Sequence, residues 1–161
     1  MTEKSLSQWI RCALLLIALC GIAVCALWVP MGIGGVGIED AMWTKAQSIA
    51  LWVQFVFHWV VSLPCFWMLT VAWRMTSDMK NGCFFTSENA LRIKKAAQVL
   101  FVSILVFLTG NGVFAALKWN KAFVLYCFVA VIGLILVVLL AALSHYLFRA
   151  AELQEECEGT I

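Results

Sequence analysis

Residues 122–148 read AFVLYCFVAVIGLILVVLLAALSHYLF, with no Asp, Glu, Lys or Arg. Such a run exceeds the roughly 20 helical residues that cross about 30 Å of hydrocarbon, so it reads as a membrane helix. Charge-free runs over residues 12–38, 46–73 and 96–117 precede it. The first is expected to stop near Val29, because Pro30 with Gly32, Gly34, Gly35 and Gly37 supplies turn chemistry rather than helix. The whole chain agrees: 64% of its 161 residues are apolar and 12% charged, against roughly 45–50% and about 25% in soluble domains. A soluble core cannot absorb that excess, which excludes a water-soluble enzyme. The pieces outside the apolar runs are too short for a separate catalytic or nucleic-acid-binding domain.

The expected fold is all-α, an integral membrane, antiparallel four-helix bundle with both termini cytoplasmic. Residues 1–161 form one membrane domain, with spans at about 12–29, 46–73, 96–117 and 122–148, a cytoplasmic loop 74–95 and a cytoplasmic tail 149–161. The orientation follows from basic residues, which are retained inside. Lys4, Arg11, Arg74, Lys80, Arg92, Lys94, Lys95 and Arg149 fall on one side, and only Lys45, Lys118 and Lys121 on the other. A cleaved signal peptide over the first run is disfavoured, since that run is long for an h-region and no small-x-small site precedes Trp28.

Local signals set the helix ends. Asp40 suits the start of the second helix, which passes Pro64, where a bend is expected, and runs to Lys80 before Asn81 and Gly82 stop it. Thr86 or Ser87 caps the third helix, with Glu88 in its first turn and four residues before Arg92. The link Lys118-Trp119-Asn120-Lys121 is short enough to force an antiparallel hairpin. Its midpoint sets Arg149 level with Ala90, so Glu88 is expected near Arg149 and Lys80 near Glu152.

Gln47, Gln54, His58, Ser62 and Cys65 recur at helical spacings and form one polar stripe on the second helix, with Gln54, His58 and Ser62 deepest. That stripe must face other helices. Two readings are open: a proton or solute path, or interhelical hydrogen-bond glue of about 1 kcal/mol per contact. The second is favoured, because no Asp, Glu, Lys or Arg lies within any expected span. His58 and His145 lie at depths too different to share a metal ion, no cofactor is expected, and the seven cysteines contain no C-x-x-C pair. Cys12, Cys20, Cys25, Cys65 and Cys127 read as apolar fillers in or beside the spans, while Cys83 and Cys157 fall at similar height at the cytoplasmic end. Trp9, Trp28, Trp43, Trp73 and Trp119 near span ends fit an interfacial belt, and Trp52, Trp59 and Trp67 a packing or lipid-facing ridge.

Asn81-Gly82-Cys83-Phe84-Phe85-Thr86-Ser87-Glu88-Asn89-Ala90-Leu91-Arg92-Ile93 resembles the signature of a bacterial membrane family known as domain of unknown function 2975. That signature has Gly, then Phe, then Ser or Thr, then Glu-Asn, then Leu-Arg, entering the third of four spans. The family's ending, Leu, a polar residue, Glu-Glu, polar residues and Leu-Thr-Ile, is similar to Leu153-Gln154-Glu155-Glu156-Cys157-Glu158-Gly159-Thr160-Ile161, with Gly159 in place of the leucine. The resemblance implies no established activity. Genes of the family often lie beside one for a small helix-turn-helix regulator, which implies a membrane component that holds or senses for a cytoplasmic transcription factor.

Phe84, Phe85, Glu88, Asn89 and Arg92, with Glu152, Glu155 and Glu156 of the tail, are the face where such a partner would dock. The plainer reading is that these residues close the inner end of the bundle. The functional expectation is therefore a non-enzymatic membrane protein that regulates or sequesters a small cytoplasmic DNA-binding regulator. The alternative is a small transporter, or an immunity-type protein against a membrane-active peptide, acting through the His58 stripe. The bilayer is the first partner and a second copy of the chain a further candidate; direct nucleic-acid binding is not expected.

Overall fold

The computed structural model describes residues 3–35, 45–80, 85–119 and 123–158. Four α-helices account for almost all of them: α1 (Glu3–Gly35), α2 (Lys45–Lys80), α3 (Ser87–Ala116) and α4 (Phe123–Glu158), with no strand among the described residues. Three stretches are long and apolar enough to cross a membrane, Ile49–Met79, Ser87–Ala116 and Phe123–Gln154. In α1 the apolar stretch found among the described residues is shorter, Gln8–Val24.

The expected stop of the first helix near Val29 is corrected, since α1 continues through Pro30 to Gly35. A proline removes one backbone hydrogen bond, whereas leaving the helix in apolar surroundings would strand several, so continuing is the cheaper course. α2 ends at Lys80 with Pro64 inside it. The expected start at Asp40 and the stop signal Asn81-Gly82 lie outside the described residues.

Each helix packs on the next in chain order, and among the described residues α1 packs against α2 alone. The core belongs to α2, α3 and α4. Met75 of α2 meets Ala90 and Ile93 of α3 and Leu147 of α4 in one buried cluster. Leu100, Ile104 and Ala130 form a second, with Met68 of α2 packed against it. α1 leans on the flank of this unit: the Arg11 guanidinium lies 5.0 Å from the Trp73 ring centroid and its Nε donates to Thr76 Oγ1 at 3.3 Å. Farther along, the Phe66 ring lies beside Gly21.

The outer surface suits hydrocarbon. Val124, Phe128 and Val138 of α4 are 69%, 65% and 67% exposed, a pattern that water would penalise and lipid would not. Polar side chains on these helices bond to the preceding turn, as in Ser62 to Trp59 O (2.8 Å), Thr70 to Trp67 O (2.7 Å), Ser103 to Val99 O (2.8 Å) and Thr109 to Leu105 O (2.8 Å). A hydroxyl without water nearby satisfies itself this way.

Small residues fix the depth at which α3 and α4 meet. Ala90, Ala97, Ala130 and Ser144 are buried, and Gly133 lies against the Ile104 side chain. Ser144 Oγ donates to the carbonyl of Ala90 at 2.8 Å. The expected register put Arg149 at the level of Ala90; this bond lies between one and two turns from that, while Gly133 beside Ile104 and His145 sharing a groove with Lys94 lie close to it.

Candidate functional site

Two polar constellations stand at opposite ends of the α2–α3–α4 unit. The first is built on the start of α3. Thr86, extended at φ −126° and ψ 147°, caps the helix by accepting from the Asn89 amide at 3.3 Å. The cap brings Glu88, Asn89 and Arg92 onto one turn. Arg92 Nη1 donates to Asp78 Oδ2 of α2 at 2.7 Å and to Asn89 Oδ1 at 3.0 Å, and Nη2 donates to Glu88 Oε1 at 2.6 Å. A planar guanidinium can serve several acceptors from one position, which a lysine could not.

Exposure divides the expected partner face into base and surface. Asn89 is 1% exposed and Arg92 half-buried. Asn89 therefore belongs to the base, a correction to its place on the docking face: the cap turns its side chain inward to Arg92. Phe85, Glu88, Glu152 and Glu156 are exposed. Phe84 and the side chain of Glu155 lie outside the described residues.

Glu88 pairs with Arg92 four residues on, as their spacing led one to expect, and Arg149 is exposed. The side chain of Lys80 is outside the described residues, as are Cys83 and the Cys157 side chain. Sequence reading missed Asp78, a single acid near the end of a long apolar helix whose meaning appears only once Arg92 is placed against it.

The second constellation closes the other end. Leu117 ends α3, and Lys118 adopts the left-handed conformation at φ 59°. The amides of Lys118 and Trp119 then donate to Ala115 O and Phe114 O, each at 2.9 Å. This is a Schellman closure, and its usual apolar contact is present as the Trp119 ring stacked on Phe114 at 6.2 Å. Phe114 meets Phe57 edge-on at 5.3 Å, and Gln54 Nε2, buried, donates to Trp119 O at 3.0 Å.

His58 lies directly below. Its Nδ1 is 2.7 Å from Gln54 O, and its ring packs against Phe57, Phe107 and Tyr126 at 5.5, 5.9 and 5.5 Å. Asn111, 0% exposed, donates to Phe107 O at 2.9 Å. The stripe thus separates. Gln54 and His58 face neighbouring helices, Ser62 is half-buried and bonded to its own helix, and Cys65 is exposed. Cys65 lies within about 20° of Gln54 around the helix, so turn angle alone does not carry it out of the interface. Gln47's side chain is outside the described residues. Asn111 and Tyr126 were not singled out because their partners lie on the preceding turn or on another helix, which spacing within one run does not reveal.

His145 stands at the first end beside Lys94 and Gln98, far along the helices from His58. Among the described residues no three His, Cys, Asp or Glu side chains converge as metal ligands. Cys12, Cys20 and Cys65 are exposed and Cys127 half-buried. The first three therefore line outer faces and do not fill the interior, because the helices touch along narrower strips than a closed bundle would offer. Trp52 and Trp67 are exposed and Trp59 half-buried, so most of that ridge faces outward.

A family model described as protein of unknown function (DUF2975) matches residues 36–161. The chain belongs to that family. The DUF2975 match takes in α2, α3 and α4 and leaves α1 outside, the same division that the packing makes. The Thr86, Glu88-Asn89 and Leu91-Arg92 elements of the DUF2975 signature are the cap and clamp described above. No curated protein and no solved structure matches the chain.

Proposed function

We propose that the chain is a non-enzymatic, four-span inner-membrane protein, antiparallel with both termini in the cytoplasm, that holds a small cytoplasmic DNA-binding regulator at its inner face. The observation that carries the reading is the exposed surface beyond the clamp. α4 continues past Arg149 to Glu158, with Glu152 and Glu156 exposed one turn apart. Leu153 and Phe85, 62% and 52% exposed, stand among these charges outside the expected spans. Apolar side chains ringed by acids suit a partner whose own surface is basic, as a DNA-binding domain's is. Acids in the last turns oppose the helix dipole slightly, and a basic partner would relieve that cost. The Arg92 clamp supports the surface by holding the start of α3 against α2.

A small helix-turn-helix regulator of the kind often encoded beside genes of this family should co-purify with the protein in mild detergent, and Phe85→Ala combined with deletion of residues 152–161 should abolish the complex. Absence of any enriched cytoplasmic protein would overturn the reading. The threading is tested separately. Single cysteines at Ser87 or near either terminus, in a chain otherwise lacking cysteine, should resist a non-permeant maleimide in intact cells, and one at Lys118 should react.

The alternative, a small transporter or immunity-type protein, draws on the His58 surroundings. His58→Leu should then abolish flux or protection against a membrane-active peptide at unchanged protein level, whereas hydrogen-bond glue predicts a loss of stability alone.

A further inference from the structure

A groove of about 390 Å³ runs between α3 and α4 on the outside of the molecule, at the end that carries the Arg92 clamp. Its size falls within the usual range for a site that takes an organic ligand. Ala97 and Ala141 line it, and Phe101 and Phe148 stand among its walls. From Val137 to Phe148 it follows α4 for about three turns, roughly 16 Å. Ser144 also lines it, but its hydroxyl is committed to the Ala90 carbonyl. The interior therefore offers little to water and much to hydrocarbon.

The mouth is different. Lys94, Gln98 and His145 lie there, all three exposed, with Lys95 exposed beside Lys94 and Arg149 exposed a turn beyond His145. Lys94 and Lys95 are the last charges before α3 becomes apolar, so the mouth sits where headgroups would be and the groove extends from it toward the bilayer midplane. Glu152 is a full turn beyond Phe148, past the mouth. Cationic and amide donors above an acyl-sized trough match the phosphate of a phospholipid over one of its chains.

We infer that this groove binds an anionic phospholipid of the inner leaflet, with its phosphate at Lys94, Gln98 and His145 and one acyl chain along Ala97, Phe101 and Ala141. The assignment to the inner leaflet rests on the threading proposed above; the binding does not. Delipidated protein in maltoside micelles, which have no sidedness, is titrated with phosphatidylglycerol and with phosphatidylcholine of the same chains, and binding is read by native mass spectrometry and thermal unfolding. Phosphatidylglycerol should bind more tightly and raise Tm further. Lys94→Gln should weaken phosphatidylglycerol about fivefold and phosphatidylcholine, whose choline already offsets its phosphate charge, by less, so that the preference shrinks. Ala141→Phe, which fills the trough and keeps every charge, should weaken both lipids. Lys118→Gln, at the opposite end, should weaken neither.

Glycerol 3-phosphate tests the headgroup alone and should not stabilise. Equal binding of the two lipids, retention of the preference in Lys94→Gln, or stabilisation by glycerol 3-phosphate equal to that by lipid would each overturn the proposal. A failed maleimide result with intact lipid preference would reverse the leaflet and spare the site. Intact threading with no preference would do the opposite.

Discussion

At one end of the α2–α3–α4 unit the helices are joined by charge, with Arg92 reaching Asp78 on α2 and Glu88 and Asn89 on its own helix. At the other they are joined by rings and one amide, with Trp119 on Phe114, Phe114 on Phe57, and Gln54 on the Trp119 carbonyl. The difference follows from the groups each end must satisfy. The start of α3 brings a guanidinium up to carboxylates, and an ion pair is tolerable there because the Arg92 and Asp78 side chains keep 30% and 32% of their exposure. At the end of α3 the amides of Lys118 and Trp119 already serve the last carbonyls, so a neutral donor and aromatic packing close it without an ion pair. One end should therefore respond to salt and to charge changes, the other to shape.

Shape gives the largest expected effect. A methyl group at Gly110 would collide with the Phe57 ring, whereas one at Gly133 would meet only the tip of the Ile104 side chain. Gly110→Ala should lower stability by about 2–3 kcal/mol and Gly133→Ala by less than about 1 kcal/mol, measured by unfolding in detergent. Equal costs would mean that the aromatic end is no tighter than the middle of the hairpin.

Charge comes next. Arg92→Met should cost about 1–2 kcal/mol, discounted for partial exposure, with much of the loss masked in high salt. Arg92→Lys should recover only part of it, because one ammonium cannot reproduce the fork. A loss that ignores ionic strength would mean packing, not the ion pair, holds this end.

Gln54→Leu should cost about 1 kcal/mol independently of salt, the mirror image of the Arg92 result. The smallest effect has the opposite sign. Lys118→Gly should stabilise by about 0.5 kcal/mol, since a left-handed residue with a Cβ is strained and the gain is partly offset by the greater freedom of the unfolded chain. A destabilised Lys118→Gly would show that the lysine side chain itself supports the closure.

The helices and their caps were legible because they depend on neighbours in sequence. Charge-free runs marked α2, α3 and α4, and Thr86 followed by Glu88 marked the start of α3. Contacts between helices were legible only where one helix carried several polar residues in phase, as with Gln54 and His58. Asp78, Asn111 and Ser144 were read as part of no such set, and their partners come from another element or from a turn that sequence spacing does not distinguish. The register was legible to within one or two turns, because a link of few residues fixes which helices are neighbours and roughly the level at which they meet, while the particular bond from Ser144 to Ala90 was not. Pro30 and the glycines after it read as an ending because turn chemistry is calibrated on water-exposed chains, where a broken helix can hydrate its free groups.

α4 has 36 residues, roughly 54 Å of rod at helical rise, while the hydrocarbon takes up only about 30 Å. On the proposed threading its surplus forms a stiff mast on the inner side, not a slack tether. Cargo fastened near Glu156 would ride roughly 12 Å beyond Phe148, where the expected span ends, with its tilt set by the buried half of the same helix, so a change in bilayer thickness would shift the height of the cargo directly.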